Sequence, residues 1–288
     1  ITLLQVIMQL LFLWIMLLFV GQRHIDIYIY SLYVSYSVAF IFSFIYLVKE
    51  IKDFRIENLL KTAGSIIRYG GFVQLSNILQ LLNYRLAYYI IDFYQGKVLL
   101  GIFTLGVQLS EGLWLLSKSA ATVQYSKISN TKDKLYIKNF TNKLVKITFF
   151  STLLLLIPLL LLPEAFFISV FGREFGDARF VLLYMSPGIL AVAVNSMFSH
   201  YFSGTGRHHY NTIGSAIGLA VTLGVGLILI PRYALTGAAF TASVSYFCSF
   251  IFQLLVYKNI TKSGLIDFMP VKSDLYYIIG KIKSFFGK

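Results

Sequence analysis

Two charged residues, Arg85 and Glu111, lie inside long apolar stretches of this sequence and are candidates for chemistry within a membrane. An ionisable group at such a depth is costly in lipid, so each one is a functional hypothesis by default. The Arg85 guanidinium stays charged at any accessible pH and is poorly replaced by an amide that bonds between helices. We therefore take Arg85 as the anchor for an anionic ligand.

A polar face runs the full length of the stretch that contains Arg85. At about 100° per residue, its members fall within roughly 140° of one another on a helical wheel. They are Gln74, Asn77, Gln80, Tyr84, Arg85, Tyr88 and Asp92. A weaker polar face follows on the next stretch, with Thr104, Gln108, Glu111 and Lys118. These faces predict the lining of a water-reachable cavity, and the alternative is hydrogen bonding between packed helices.

The depths of Arg85 and Glu111 argue against a simple ion pair. Counted from the ends of their apolar stretches, Arg85 lies roughly 9 Å deep and Glu111 roughly 20 Å deep, at about 1.5 Å per residue. A direct pair then requires a favourable helix tilt. We expect instead a water-filled cavity that both side chains share.

The elements that must position these residues are transmembrane helices. The chain is 57% hydrophobic and 13% charged, with a mean hydropathy of +0.74. Apolar runs of about twenty residues are long enough to cross a bilayer as helices. The predicted spans are Ile1–Val20, Ile27–Val48, Tyr69–Ile91, Val98–Leu116, Leu144–Leu162, Val181–Phe202, Asn211–Ile230 and Gly237–Tyr257. The sequence therefore predicts an all-α, polytopic transmembrane helix bundle of about eight spans.

The net charge of +13 is concentrated in alternate connections, namely 49–68, 117–144 and 258–288. The positive-inside rule places these connections, and both termini, in the cytoplasm. Basic residues at such positions touch anionic membrane lipids, which are the expected partners; nucleic acid is not.

Four segments are predicted along the chain. Residues 1–48 form a two-helix segment, and 69–257 form a six-helix lobe. Between them, 49–68 is charged and amphipathic, which favours a helix on the cytoplasmic membrane surface over a solvated loop. Residues 258–288 form a basic amphipathic cytoplasmic tail.

Other motifs give no sign of an enzyme, a metal centre or a cofactor site. Cys248 is the single cysteine, and the four histidines share no ligand spacing. Gly214, Gly218, Thr222 and Gly226 repeat at intervals of four, which predicts close helix packing.

Four local patterns resemble the bacterial polysaccharide flippases of the multidrug/oligosaccharidyl-lipid/polysaccharide exporter superfamily. Residues 81–111, LLNYRLAYYIIDFYQGKVLLGIFTLGVQLSE, resemble their seventh and eighth helices. Residues 171–178, FGREFGDA, resemble an outer FGxxFxxA stretch. Residues 201–207, YFSGTGR, resemble an inner turn, and 229–239, LIPRYALTGAA, resemble a connection in which glycine is usual at Ala234.

The resemblance implies export of undecaprenyl-pyrophosphate-linked oligosaccharide from the inner to the outer leaflet of the bacterial inner membrane, as in O-antigen and lipopolysaccharide synthesis. It implies substrate contacts by Arg85, Gln74, Asn77, Gln80, Tyr88 and Gln108. Arg85 would bind the pyrophosphate bidentately, and Glu111 would bind a coupling H+ or Na+. Because that family has two six-helix lobes, about four further helices are expected before Ile1, and activity is expected to need them.

Two rival functions remain open at the level of sequence. A MATE-like drug or cation exporter would share the fold but would favour acidic residues in the cavity, against which Arg85 argues. A membrane-embedded polysaccharide polymerase or glycosyltransferase would need a large loop with paired carboxylates, and the longest outer connection, 163–180, is short.

Overall fold

Helices make up nearly all of the described part of the chain. The computed structural model describes residues 2–20, 25–50, 59–264 and 266–268, and no strand occurs among them. A helix satisfies its backbone hydrogen bonds within one segment, as a lipid environment demands. The prediction of an all-α membrane bundle is confirmed.

The chain divides into two compact units, Ile1–Ala63 and Gly64–Lys288. The first unit holds α1 (Thr2–Val20) and α2 (Ile25–Glu50), which contact each other. Buried residues of α2 repeat at intervals of four, a spacing that keeps them on one helix face. They are Ile27, Ser31, Ser35 and Ala39.

The second unit contains the long helices on which the candidate site lies. Its long helices are α3 (Leu59–Gln95, which begins in the first unit), α4 (Lys97–Ser129), α5 (Lys134–Leu161), α7 (Ala178–Gly204) and α8 (His209–Thr261). A short helix, α6 (Glu164–Phe171), follows α5, and 3₁₀ turns occur at Arg173–Phe175 and Ile266–Phe268. The central helix is α7, which packs against α4, α5 and α8.

Helix α8 is two antiparallel arms, residues 209–233 and 235–261. Ala234, with φ 47° and ψ −120°, interrupts it. A Cβ on Gly226 would touch Thr241, and a Cβ on Gly218 would meet Ser249, so the arms pair in opposite directions. The small residues that repeat at intervals of four, Gly214, Gly218, Thr222 and Gly226, therefore form the contact line between the two arms, which we call the small-residue seam of α8. At Gly218 this seam also faces Asn83 of α3.

Within the described residues, five helical segments are long and apolar enough to cross a membrane: Asp26–Glu50, Lys97–Ser129, Lys134–Leu161, Arg173–Gly204 and His209–Thr261. The last of these supplies two of the predicted spans, because its arms reverse at Ala234. The other predicted spans lie on α1, whose shorter apolar part is Leu4–Met16, and on α3, whose polar side chains lower its hydropathy.

Parts of two predicted segments lie outside the described residues. In the predicted surface linker 49–68, residues 49–50 end α2 and 59–68 begin α3, whereas 51–58 are not described. In the predicted tail 258–288, residues 258–261 end α8, and residue 265 and residues 269–288 are not described.

The backbone of Ala234 yields a stability prediction. Its φ and ψ are typical of the first central position of a type II′ turn, which favours glycine because a Cβ is strained there. We expect Ala234→Gly to stabilise the protein by about 1 kcal/mol. Thermal unfolding in detergent measures it. Ala220→Gly, at an exposed helical position, is the control and should lower the free energy of unfolding by about 1 kcal/mol. An equal loss of stability in Ala234→Gly and Ala220→Gly would contradict the prediction.

Candidate functional site

Arg85 of α3 and Glu111 of α4 form an ion pair on the surface of the second unit. Arg85 Nη2 lies 3.7 Å from Glu111 Oε1, and the two side chains are 45% and 33% exposed. The Arg85 guanidinium also lies 5.1 Å from the centre of the Tyr88 ring, in cation–π geometry. The two charges therefore pair directly, which the depths counted from the sequence disfavoured, and the shared water-filled cavity stays a prediction.

The pair forms because the helices extend beyond the apolar stretches. Helix α3 continues to Gln95 and α4 begins at Lys97. At about 1.5 Å per residue, Arg85 lies about 15 Å along α3 from its end at Gln95, and Glu111 lies about 21 Å along α4 from its start at Lys97. An offset of about 6 Å is within the combined reach of the two side chains.

An aromatic cluster lies next to this pair in the sequences of α3 and α4. It is formed by Tyr84 of α3, Trp114 of α4 and Tyr246 of α8. The Tyr84 ring lies 5.6 Å from that of Trp114 and 5.3 Å from that of Tyr246, and the latter two lie 5.9 Å apart. Gln80 Nε2 donates to the Tyr84 hydroxyl at 2.9 Å. Such ring pairs stabilise beyond their burial, so the cluster fixes α3 and α4 against the second arm of α8.

Polar side chains extend from the pair toward both ends of the bundle. Toward Gly96, a cleft is lined by Asp92, Lys97, Thr104 and Gln108. In the other direction, Gln80 and Lys118 line a second cleft with His200. We call this set the polar strip: Asp92, Lys97, Thr104, Gln108, Arg85, Glu111, Gln80 and Lys118.

The structure distributes the predicted contact residues along α3 and α4. Arg85 and Tyr88 lie together with Glu111, and Gln108 lies in the cleft near Gly96. Gln74 and Asn77 are exposed on α3, nearer to its beginning than Gln80. The exposed positions of α3 also include the apolar residues Leu75 and Leu82.

Asn83 is a polar residue that the wheel analysis missed. Only 6% of it is exposed, and its Oδ1 accepts from Thr222 Oγ1 at 2.6 Å and lies 2.8 Å from Ser245 Oγ. Ser245 Oγ also lies 2.8 Å from the Gly218 carbonyl. This three-helix joint connects α3 to both arms of α8. A possible signal was the small-residue seam of α8, which needs a partner helix that approaches closely.

A narrow polar cavity lies beside this joint, between α3, α7 and the arms of α8. Asn195, Asn211 and Gln253 line it, and each has a buried amide oxygen without a hydrogen-bond donor among the described residues. Neutral amides of this kind hydrogen-bond ordered water. The described part of the chain contains no group of three His, Cys, Asp or Glu residues arranged to hold a metal ion.

Comparison with known proteins finds two distant relatives. The chain is 30% identical over 188 residues to a capsular polysaccharide biosynthesis protein, CapF, of Staphylococcus aureus, covering 64% of this chain and 48% of the relative. It is 27% identical over 140 residues to an uncharacterized membrane protein, MJ1068, of Methanocaldococcus jannaschii, covering 47% of this chain and 27% of the relative.

The chain thus spans less than half the length of either relative. No protein family and no solved structure matches it. The helices and these relatives together identify a multi-pass membrane protein that is distantly related to a protein of capsular polysaccharide biosynthesis.

Proposed function

We propose that this chain takes part in moving lipid-linked oligosaccharides from the inner to the outer leaflet of the bacterial cytoplasmic membrane during surface polysaccharide biosynthesis. The observation that carries the proposal is the Arg85–Glu111 pair on the polar strip. The similarity to a capsular polysaccharide biosynthesis protein supports the biosynthetic context. The proposed substrate is an oligosaccharide on undecaprenyl pyrophosphate.

The chemistry of Arg85 suits the pyrophosphate of that substrate. A guanidinium has five N–H donors in a planar fork and binds phosphate oxygens in pairs. The Glu111 contact, at 3.7 Å, is longer than a hydrogen bond, so it does not use the whole donor set. Because Arg85 is nearly half exposed, phosphate oxygens can approach it without a change in the helix core.

Glu111 provides a means of coupling. When it is ionised it competes with phosphate for Arg85, and when it binds H+ or Na+ its attraction for the guanidinium falls. Binding of the driving ion then favours substrate capture, and its loss favours release. The proposed cycle uses no cofactor and no resident metal.

Transport of an anion fits these residues better than the rival functions. A cationic drug would be repelled by the exposed Arg85 guanidinium. Hydrolases and transferases that act on glycosidic bonds commonly use two carboxylates, whereas the carboxylate of Glu111 is paired with an arginine.

Deletion of the gene tests the proposal. Lipid-linked glycan should then accumulate on the inner leaflet, and surface polysaccharide should fall until the gene is restored. The measurement is the leaflet distribution of the glycan, probed with a lectin on right-side-out and inverted vesicles. An unchanged distribution, or a failure to assemble the glycan at all, would overturn the assignment to export.

Glu111→Gln tests the coupling step separately. A neutral amide cannot take up the driving ion, so we expect export to fall severalfold and to stop responding to imposed pH and sodium gradients. Initial export rates in vesicles measure this response. Glu174→Gln, at an exposed residue of the 3₁₀ turn Arg173–Phe175, is the matched control. A Glu111→Gln protein that follows the gradients as the unmodified protein does would contradict the coupling role.

A further inference from the structure

A basic groove lies at the end of the second unit that the charge pattern predicts to be cytoplasmic. Its volume is about 700 Å³, and it is formed by the α4–α5 connection with the start of α5, the turn after α7 and the end of α8. Four basic residues line it: Lys132, Lys134, Lys138 and Arg207. The groove is separate from the polar strip and shares no residue with it.

The carboxylates beside the groove are already engaged. Asp133 Oδ1 accepts from the backbone N–H groups of Leu135 and Tyr136, at 2.9 and 3.1 Å, and so caps α5. Asp267 Oδ2 lies 3.4 Å from Lys138 Nζ. Among the described residues, no carboxylate lies within ion-pair distance of Lys132, Lys134 or Arg207. The groove therefore has a positive potential.

Arg207 is the strongest indication of a ligand. Its Nη1 is buried and has no hydrogen-bond acceptor among the described residues. A buried guanidinium N–H without an acceptor is costly. An anion with several oxygens would supply that acceptor and would complement the lysines at the same time.

The surroundings of the groove favour a lipid over a soluble anion. Leu135 lines the groove and is 66% exposed, and Tyr136 beside it is 42% exposed. Basic pockets between transmembrane helices on the cytoplasmic side commonly bind anionic headgroups. An exposed leucine next to a phosphate-binding groove provides a surface for the acyl chain of the same molecule.

We infer that this groove binds the phosphate headgroup of an anionic phospholipid of the cytoplasmic leaflet. Arg207 holds the phosphate from the inside of the groove, and the exposed Lys132 and Lys134 attract it from the rim. Such a lipid would join the ends of α5, α7 and α8. The inference does not depend on glycan export.

Lipid binding to the full chain in a neutral detergent tests the inference. The probes are phosphatidylglycerol, phosphatidylcholine with the same acyl chains, and inorganic phosphate. Native mass spectrometry measures the retained lipid, and a titration gives its Kd. We expect phosphatidylglycerol to bind at least about tenfold more tightly than phosphatidylcholine, because its net charge adds attraction by each basic residue.

Two variants locate the binding. Arg207→Gln should weaken phosphatidylglycerol about tenfold, since a hydrogen bond to a charged group is lost. The double variant Lys132→Gln/Lys134→Gln changes only exposed side chains, so it folds even if Arg207→Gln does not, and it should weaken binding to a similar degree. Arg232→Gln, at an exposed position near the α8 reversal, should leave the Kd unchanged.

Three results would overturn the inference. The groove is not the site if the double variant retains the phosphatidylglycerol affinity of the unmodified chain. If Arg232→Gln loses as much affinity for phosphatidylglycerol as the groove variants do, the lipid is attracted by the net charge of the chain and not by the groove. If inorganic phosphate binds with the same Kd as phosphatidylglycerol, the lipid part contributes no affinity. The ligand is then a free phosphate, and the lipid assignment fails.

Discussion

Replacing Arg85 with alanine is expected to lower glycan export at least about a hundredfold, which corresponds to roughly 3 kcal/mol for a charge-assisted contact to phosphate. The variant should still insert in the membrane, because the Arg85 side chain is nearly half exposed. Arg85→Lys should recover part of the activity, since a single ammonium replaces a bidentate fork. The measurement is the rate at which lipid-linked glycan reaches the outer leaflet, normalised to the amount of protein in the membrane.

A second variant separates ligand binding from ion pairing. If Arg85 served only to neutralise Glu111, the double variant Arg85→Ala/Glu111→Ala would restore export to the level of Glu111→Ala alone, because no unpaired charge remains. We expect the double variant to be as inactive as Arg85→Ala. Arg232→Ala, at an exposed position near the α8 reversal, is the matched control. Gln80→Leu should have an intermediate effect through the lost hydrogen bond to Tyr84.

The residues of the polar strip were predictable because a charge inside an apolar stretch is costly. That cost singles out Arg85 and Glu111 as candidates for function. The helical wheel then places Gln80 and Tyr88 on the same helix face as Arg85. Their direct pairing was not predictable, since an apolar stretch ends before its helix does. Helix α3 continues through Asp92 to Gln95, and this continuation brings the two charges to similar depths.

The joint at Asn83 was not predictable from the same analysis. A wheel divides positions into polar and apolar faces, and Asn83 falls beside leucines that the structure leaves exposed, such as Leu82. The buried face of α3 is instead a seam of small and β-branched residues with Asn83 among them. These are Ser76, Asn83, Ala87, Ile90 and Ile91. Which face is buried depends on where the arms of α8 lie, and local periodicity carries no information about that.

The two polar sites on α3 therefore have opposite requirements. Arg85 is exposed and weakly held, which suits a group that must exchange one partner for another. Asn83 is buried and accepts hydrogen bonds from the second arm of α8 as well as the first. Because the two residues are close in sequence on one rigid helix, the joint at Asn83 sets the position from which Arg85 acts.

Asn83→Leu should accordingly destabilise the protein by about 2 kcal/mol. Leucine has a similar volume, but it leaves the Thr222 hydroxyl buried without its acceptor, and such a group costs about 1–3 kcal/mol. The apparent midpoint of thermal unfolding in detergent, followed by circular dichroism, measures the loss. Asn77→Leu makes the same substitution at an exposed position of the same helix and should be close to neutral.

A double-mutant cycle assigns the loss to the joint itself. Thr222→Val removes the donor, so the combined variant Asn83→Leu/Thr222→Val should be less destabilised than the sum of the single variants, by about 1 kcal/mol. Strictly additive losses would mean that Asn83 contributes through packing alone. If instead Asn83→Leu unfolds at the same temperature as Asn77→Leu, the three helices are held by their small-residue contacts, and the hydrogen bonds to Asn83 do not fix the position of α3.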